Sequence, residues 1–286
     1  MTLLAVCGDA STTTALALGW VWPSLDRLVI EADPSGGDVA AWLDVPEQPG
    51  VASAVSLAPT GSWPIIEQQV QTAGGVPVLV MPVRAGEASI AARELAVRLV
   101  PTLSALDSVT VIADCGRCHP TTLSPVVTQA ALVAVSVRQP SSSPRAAAAP
   151  LDRVGELVDA LTARALPVVV LVVGDVPYRP GEIAEFLDRG GDITVLSLAD
   201  DAVGAGHLAG REGLGKRFDR TRLGRTTATA AAELAVRLGR CACPQGWWSY
   251  EFVGSRSWGE RTLTRGRGAC RAPGHGPVGA PSRRRD

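Results

Sequence analysis

At 286 residues, with 46% hydrophobic and 19% charged residues, the chain is long enough to bury a large core and too apolar to be a disordered or fibrous polymer. The opening Met-Thr-Leu-Leu-Ala-Val has no basic leader and its apolar run breaks at Gly8-Asp9, so neither a secretory signal nor a membrane span is expected and a cytoplasmic location is. The net charge of −1 hides an asymmetry: from Cys241 onward eight arginines face only Glu251, Glu260 and Asp286, which leaves the body before them acidic, and the whole chain has one lysine, Lys216.

The first predicted element is an apolar strand, Leu3 to Cys7, that breaks at Gly8. The cluster Ser11-Thr12-Thr13-Thr14 then opens an Ala/Leu helix running to about Trp22. Such a junction aims unpaired backbone N–H groups and the positive end of a helix dipole at the carboxyl edge of a strand, a ready site for phosphate. Arg27 to Glu31 reads as a second buried strand ending in Ala-Asp33-Pro-Ser-Gly-Gly, followed by an amphipathic segment to Leu43. Gly50 to Ala58 and Trp63 to Ala73 read as helical, Val76 to Met81 as a third strand, Glu87 to Leu106 as a long helix, and Ser108 to Ala113 as a fourth strand ending in Asp114.

The alternation continues with strand Ala131 to Val137, a helix over about Asp152 to Ala163, strand Pro167 to Val173, helix Gly181 to Arg189, strand Asp192 to Leu196 and helix Thr226 to Leu238. Continuous Val/Leu/Ile/Ala strands are buried on both faces, and helices between them impose parallel crossovers. The expected fold class is therefore α/β, a doubly wound, mostly parallel sheet with helices on both faces. In such sheets ligands sit beyond the carboxyl ends of the strands, where Gly8, Asp33, Arg84, Asp114, Arg138 and Asp175 would gather. The domain is expected to span 1–240; residues 241–286, rich in Arg, Gly, Cys and Trp with no sustained period, read as an irregular, disordered tail.

The segment from Gly8 to Leu18 resembles the phosphate loop of the MinD/ParA group of P-loop ATPases, whose pattern is K-G-G-x-G-K-T-T before an Ala/Leu helix. Gly8 falls on the second of the paired glycines, and Thr12 and Thr13 on the threonines. Ser11 stands at the catalytic lysine, Val6 at the signature lysine and Ala10 at the last glycine. Val29 to Gly37 is similar to the family's D-x-D-P-x-G segment, with Glu31 replacing the first Asp and Asp33 retained. Val111 to Gly116 is similar to its Walker B strand, ending in Asp114.

The resemblance implies ATP and Mg²⁺ as cofactors, with Gly8, Ser11, Thr12, Thr13, Asp114 and Asp175 around the nucleotide. Thr12, Asp33 and Asp114 would stand around the metal, with Asp33 catalytic if the site is active. It further implies a homodimer engaged with a protein partner of a chromosome- or plasmid-partitioning, pilus or secretion system, peripheral at membrane or nucleoid. With both motif lysines replaced, the expectation is a pseudo-ATPase. The alternative is an active dimerisation switch in which Arg84, Arg117 or Arg138 replaces the lysine; a small-molecule α/β enzyme is a more distant rival.

Three further stretches carry motif-like spacing. Gly210 to Lys216 spells G-x-x-x-x-G-K, but Arg217 follows in place of Ser/Thr and no strand directly precedes it, so a surface turn is expected. Its neighbours Lys216, Arg217 and Arg220 form a basic patch suited to DNA phosphates or an anionic membrane, against the plainer reading of a solvated loop. Cys115-Gly-Arg-Cys118-His119 has the spacing of a haem-attachment or zinc motif, the latter with Cys241 and Cys243; ordinary reduced thiols are the expectation.

Overall fold

The computed structural model describes residues 2–104, 106, 109–139, 143–188, 193–211 and 218–239; the tail expected over 241–286 lies outside them. The strands are β1 (Thr2–Gly8), β2 (Arg27–Glu31), β3 (Gln71–Ala73), β4 (Val76–Leu79), β5 (Thr110–Asp114), β6 (Leu132–Arg138), β7 (Val168–Val173) and β8 (Thr194–Leu198). They form one eight-stranded sheet in the order β3-β4-β2-β5-β1-β6-β7-β8, parallel throughout except for the β3/β4 pair. The chain winds outward from β1 in both directions, so the strand order reverses beside β1 and opens a crevice at its carboxyl end.

Ten α-helices among the described residues cover the sheet: α1 (Ser11–Val21), α2 (Val39–Trp42), α3 (Val51–Leu57), α4 (Trp63–Glu67), α5 (Ala85–Glu94), α6 (Val100–Ser104), α7 (Pro144–Thr162), α8 (Pro180–Leu187), α9 (Ala202–Leu208) and α10 (Arg222–Arg237). Helix α1 packs against α9 and α10 over one face, where Leu4, Val6, Val29, Ile112, Ala134 and Leu171 meet Leu16, Leu18, Leu223 and Leu234 in a single buried cluster. Leu3, Ala5, Leu28, Ile30, Val133 and Val170 are as deeply buried but belong to the other face. Both faces of the central strands are thus dry, which is why they read as continuous apolar runs rather than alternating ones. Among the described residues no helix is long and apolar enough to cross a membrane.

Four elements depart from the sequence expectation. The helix expected through Ala73 ends at Glu67, and Gln71–Ala73 turns back antiparallel on β4 through Gly74 and Gly75, both at positive φ. Two consecutive positive-φ residues make a tight hairpin that few non-glycine residues permit. Helix α7 begins at Pro144 instead of Asp152, capped by the Ser143 hydroxyl, which accepts from the Ala146 N–H at 3.1 Å, and it carries Pro150 within it. Helix α9 was not anticipated; Asp201 caps it by accepting from the Val203 and Gly204 N–H groups. The long helix after β4 is interrupted by a π-helical turn over Leu95–Leu99.

Candidate functional site

The site lies where β1 hands over to α1. Val6, Cys7 and Gly8 remain in the parallel ladder, opposite Ala134, Val135 and Ser136 of β6, and α1 starts at Ser11. Only Asp9 and Ala10 are left to make the turn. The Gly8 N–H donates to the Gly116 carbonyl (2.9 Å), the Asp9 N–H to the Ser136 carbonyl (3.1 Å) and the Ala10 N–H to the Ser136 hydroxyl (3.4 Å), which itself donates to the Cys7 carbonyl (3.2 Å). Gly8 is required here: φ is +117°, and a Cβ at this position would fall 2.0 Å from the Ser136 carbonyl oxygen. Ser136 therefore fastens the turn. Sequence reasoning passed over it, although it is the one polar residue inside an apolar strand that otherwise turns polar only at its last residue, Arg138.

Two carboxylates gather around this turn. Asp114, at the end of β5, is 2% exposed; it accepts from the Gly116 N–H at 3.1 Å and from the hydroxyls of Ser11 and Thr12. Burial raises its pKa above the usual carboxylate range, and the hydroxyl and N–H donors pull it partly back. Asp33 follows β2 and accepts from the Ser35 N–H at 2.7 Å. It presses on Gly116, where φ is +61° and an added Cβ would lie 1.9 Å from the Asp33 Oδ2. The Ala32 N–H donates to the Asp114 carbonyl at 2.6 Å and the Cys115 N–H to the Val6 carbonyl at 2.8 Å, so the three strand ends are laced together. Gly8, Ser11, Thr12, Asp33 and Asp114 thus converge around the turn, with Thr13 on the same first turn of α1.

Behind them Glu31, 1% exposed, accepts from the Asp38 (2.8 Å) and Val39 (2.9 Å) N–H groups through Oε1 and from the Met81 N–H (2.9 Å) through Oε2. It joins β2, the start of α2 and the chain leaving β4. Burial outweighs these three donors and pushes its pKa up to about 7.

Of the three arginines considered as a replacement for the lysine, one reaches the turn. Arg117 lies 3.4 Å from the Asp9 carboxylate, whereas Arg84 faces Glu87 (3.8 Å) and Arg138 faces Asp200 (3.0 and 3.1 Å). Asp175 stands apart. It lines a cavity of about 250 Å³ beyond β7 and β8 with Gln139, Asp200, Arg222 and Thr226, to which no residue of the β1–α1 turn contributes.

Lys216 and Arg217 lie outside the described residues, as does most of the G-x-x-x-x-G-K segment. Arg220 is exposed on a 3₁₀ turn (Phe218–Arg220) ahead of α10, beside exposed Arg222 and Arg225, whose guanidinium donates to the Arg220 carbonyl at 2.5 Å. Cys115 is buried and Cys118 partly exposed, and Cys241 and Cys243 lie outside the described residues. Among the described residues no three His, Cys, Asp or Glu side chains gather in a metal-holding group.

No family model matches the sequence, and no curated protein does. The fold, by contrast, has many solved counterparts. A ParA family ATPase from Chlorobium tepidum superposes with a TM-score of 0.64 at 13% identity, covering 82% of this chain and 98% of that one. The septum site-determining protein MinD from Pyrococcus horikoshii, solved with Mg-ADP, superposes at 0.59 with 14% identity over 82% and 95%. A chain of the MinC:MinD cell division protein complex of Aquifex aeolicus gives 0.57 at 12% identity over 82% and 96%. The chain has the MinD/ParA-like P-loop fold.

Proposed function

We propose that this chain is a nucleotide-independent scaffold on the MinD/ParA-like fold, a pseudo-ATPase that serves the positioning or assembly of a larger cellular structure. The observation that carries the reading is the state of the turn after β1. In a G-x-x-x-x-G-K loop the backbone N–H groups cradle phosphate and the lysine neutralises it. Here the N–H groups of Gly8, Asp9 and Ala10 are already bonded to Gly116 and Ser136, and an acid, Asp9, stands in the turn in place of a cation.

The donor set matches one half of a Mg-nucleotide site only. Thr12, Asp33 and Asp114 are suited to hold Mg²⁺, which when bound would neutralise phosphate charge. The phosphate half does not fit, because three bonded donors would have to be released and each exchange costs on the order of 1 kcal/mol or more. ATP also brings a polyanion whose missing cationic partner is worth about 2 to 4 kcal/mol in a preorganised site. The expected result is that the purified chain releases no phosphate from ATP above the level of its Asp33→Ala variant, and that Ser11→Lys does not create turnover because the cradle stays closed. Turnover that Asp33→Ala abolishes would overturn the reading.

The second reading, an active switch with an arginine in place of lysine, is favoured by the position of Arg117. It requires Arg117 to leave Asp9 for a phosphate. Fold likeness to MinD and ParA proteins supports a homodimer and a protein partner as working expectations. For the partner surface we assign the exposed arginines at the start of α10, with Lys216 and Arg217 next to them in sequence, to a phosphate-bearing surface, duplex DNA or an anionic bilayer. Replacing Arg217, Arg220 and Arg225 together by Gln should remove low-salt retention on whichever of DNA or anionic liposomes the parent binds; unchanged retention on both would remove the assignment.

A further inference from the structure

The two edges of the sheet are built differently. At one, β3 is three residues long, and the side-chain amide of Gln71 donates to the Pro46 (2.7 Å) and Pro49 (2.5 Å) carbonyls, which ties the preceding chain to that edge. At the other, β8 runs for five residues, Thr-Val-Leu-Ser-Leu, with β7 on one side and, among the described residues, no strand on the other. It carries no charge and no proline, the usual devices that blunt an open edge.

The register of β8 fixes which of its backbone groups face outward. The Gly174 N–H donates to the Leu198 carbonyl at 2.9 Å, and Leu198 lies opposite Val173 in the parallel pair. The N–H and C=O of a strand residue point to the same side and alternate from one residue to the next. Thr194, Leu196 and Leu198 therefore turn theirs to β7, and Val195 and Ser197 turn theirs away. The next outward group, the Ala199 N–H, is taken by the Thr226 hydroxyl at 2.9 Å, which closes the edge at that end. Among the described residues nothing takes the outward groups of Val195 and Ser197. Beside them an apolar cavity of about 440 Å³ opens between β8 and α10, lined by Leu196, Ala232 and Val236, the last 57% exposed. Leu196 packs on the core cluster but is only partly buried. The one charge lining the cavity, Glu233, is met by Arg237 at 3.0 Å.

We propose that β8 is the contact through which two copies of this chain join, antiparallel about a two-fold axis at Leu196, into one continuous sheet. The outward groups lie symmetrically about Leu196, so the strand is its own complement. Val195 of one copy stands opposite Ser197 of the second, and each such pair exchanges N–H···O=C bonds in both directions. Leu196 meets Leu196 of the second copy at the non-hydrogen-bonded position between them, where Cα atoms approach to about 4.5 Å and side chains touch. Nothing in the lining selects a charged peptide, since Glu233 is already paired, whereas the symmetry of the outward groups selects the strand itself.

The join stands three places from β1 in the sheet, and no residue of the β1–α1 turn enters it. It needs no nucleotide, and it stands or falls separately from the scaffold reading.

The test follows the full chain, without nucleotide, by sedimentation over a dilution series. A dimer that dissociates on dilution is expected, with slow amide exchange at Val195 and Ser197 in the dimer and fast exchange in the monomer. Ser197→Pro removes an N–H that β7 does not use, so it should keep the parent's circular dichroism and melting temperature while sedimenting as a monomer where the parent is dimeric. Leu196→Cys, mildly oxidised, should give a covalent dimer whose cross-linked peptide joins position 196 of both copies, because a Cα separation of about 4.5 Å suits a disulfide. A parent that stays monomeric, or a dimer that survives Ser197→Pro or forms only with ATP and Mg²⁺, overturns the proposal. So does a monomer whose Val195 and Ser197 amides are already protected, which would mean that another segment or another protein covers the edge. The parent and Ser197→Pro decide the matter even if Leu196→Cys does not fold.

Discussion

Replacing Glu31 by Ala is expected to destabilise the fold by about 3 to 6 kcal/mol, because three buried backbone N–H groups lose their acceptor together and each orphaned donor costs about 1 to 3 kcal/mol. The three belong to Asp38, Val39 and Met81, so the variant should loosen the start of α2 and the exit of β4 together. Urea unfolding near neutral pH measures it; a loss below about 1 kcal/mol would mean that other groups or water take over these donors.

The same residue sets a pH dependence. Its pKa is raised from 4.5 in the unfolded chain to about 7 in the folded one, so between those values the folded state binds more protons. Stability is therefore full at and below the unfolded value and declines as pH rises from about 4.5 through 7, by up to about 3 kcal/mol. Asp114 shifts in the same direction and adds to the decline. Glu31→Gln keeps the volume and removes the charge. Its unfolding free energy should vary less with pH than the parent's over this window, at the cost of turning one amide N–H toward a backbone donor.

The second large effect is expected at Gly8. An alanine there meets two penalties: a φ of +117°, which side chains rarely adopt, and a Cβ 2.0 Å from the Ser136 carbonyl oxygen. That carbonyl is backbone in the middle of the sheet and bonded to the Asp9 N–H, so it cannot turn aside. Gly8→Ala should cost about 3 kcal/mol or more. Gly116→Ala is the informative comparison. Its Cβ would approach a side chain, Asp33, that can swing away, and a left-handed φ near +60° is tolerated better, so the loss should be nearer 1 to 2 kcal/mol. Equal losses at the two positions would mean that the Ser136 contact does not fix the turn.

The layered α/β architecture was legible because its strands are dry on both faces and therefore apolar without alternation. Gln71–Ala73 was not, since three residues of mixed polarity carry no period, and their pairing is dictated by the Gly74-Gly75 turn after them. The start of α7 was hidden by Pro150: a proline usually marks a boundary, yet here the helix runs through it, with Pro144 at its first position and Ser143 as its cap. At the site, Asp33, Asp114 and the Ser/Thr cluster could be placed together from their positions at strand and helix ends.

The closure of the turn could not. Val6, Cys7 and Gly8 align with loop residues of the related motif, but a β-branched residue and a cysteine are equally suited to a central strand, and pairing with Ala134, Val135 and Ser136 draws them into the ladder. Only the register with β6 reveals that two residues are left to turn the chain, and that Ser136 accepts from the N–H groups of both, Asp9 and Ala10.

The most direct test of the scaffold reading is calorimetric titration of the full chain with ATP in the presence of Mg²⁺. No saturable binding is predicted, for the parent and for Thr12→Ala alike; saturable binding by the parent that Thr12→Ala removes would contradict it and establish the turn as a working nucleotide site.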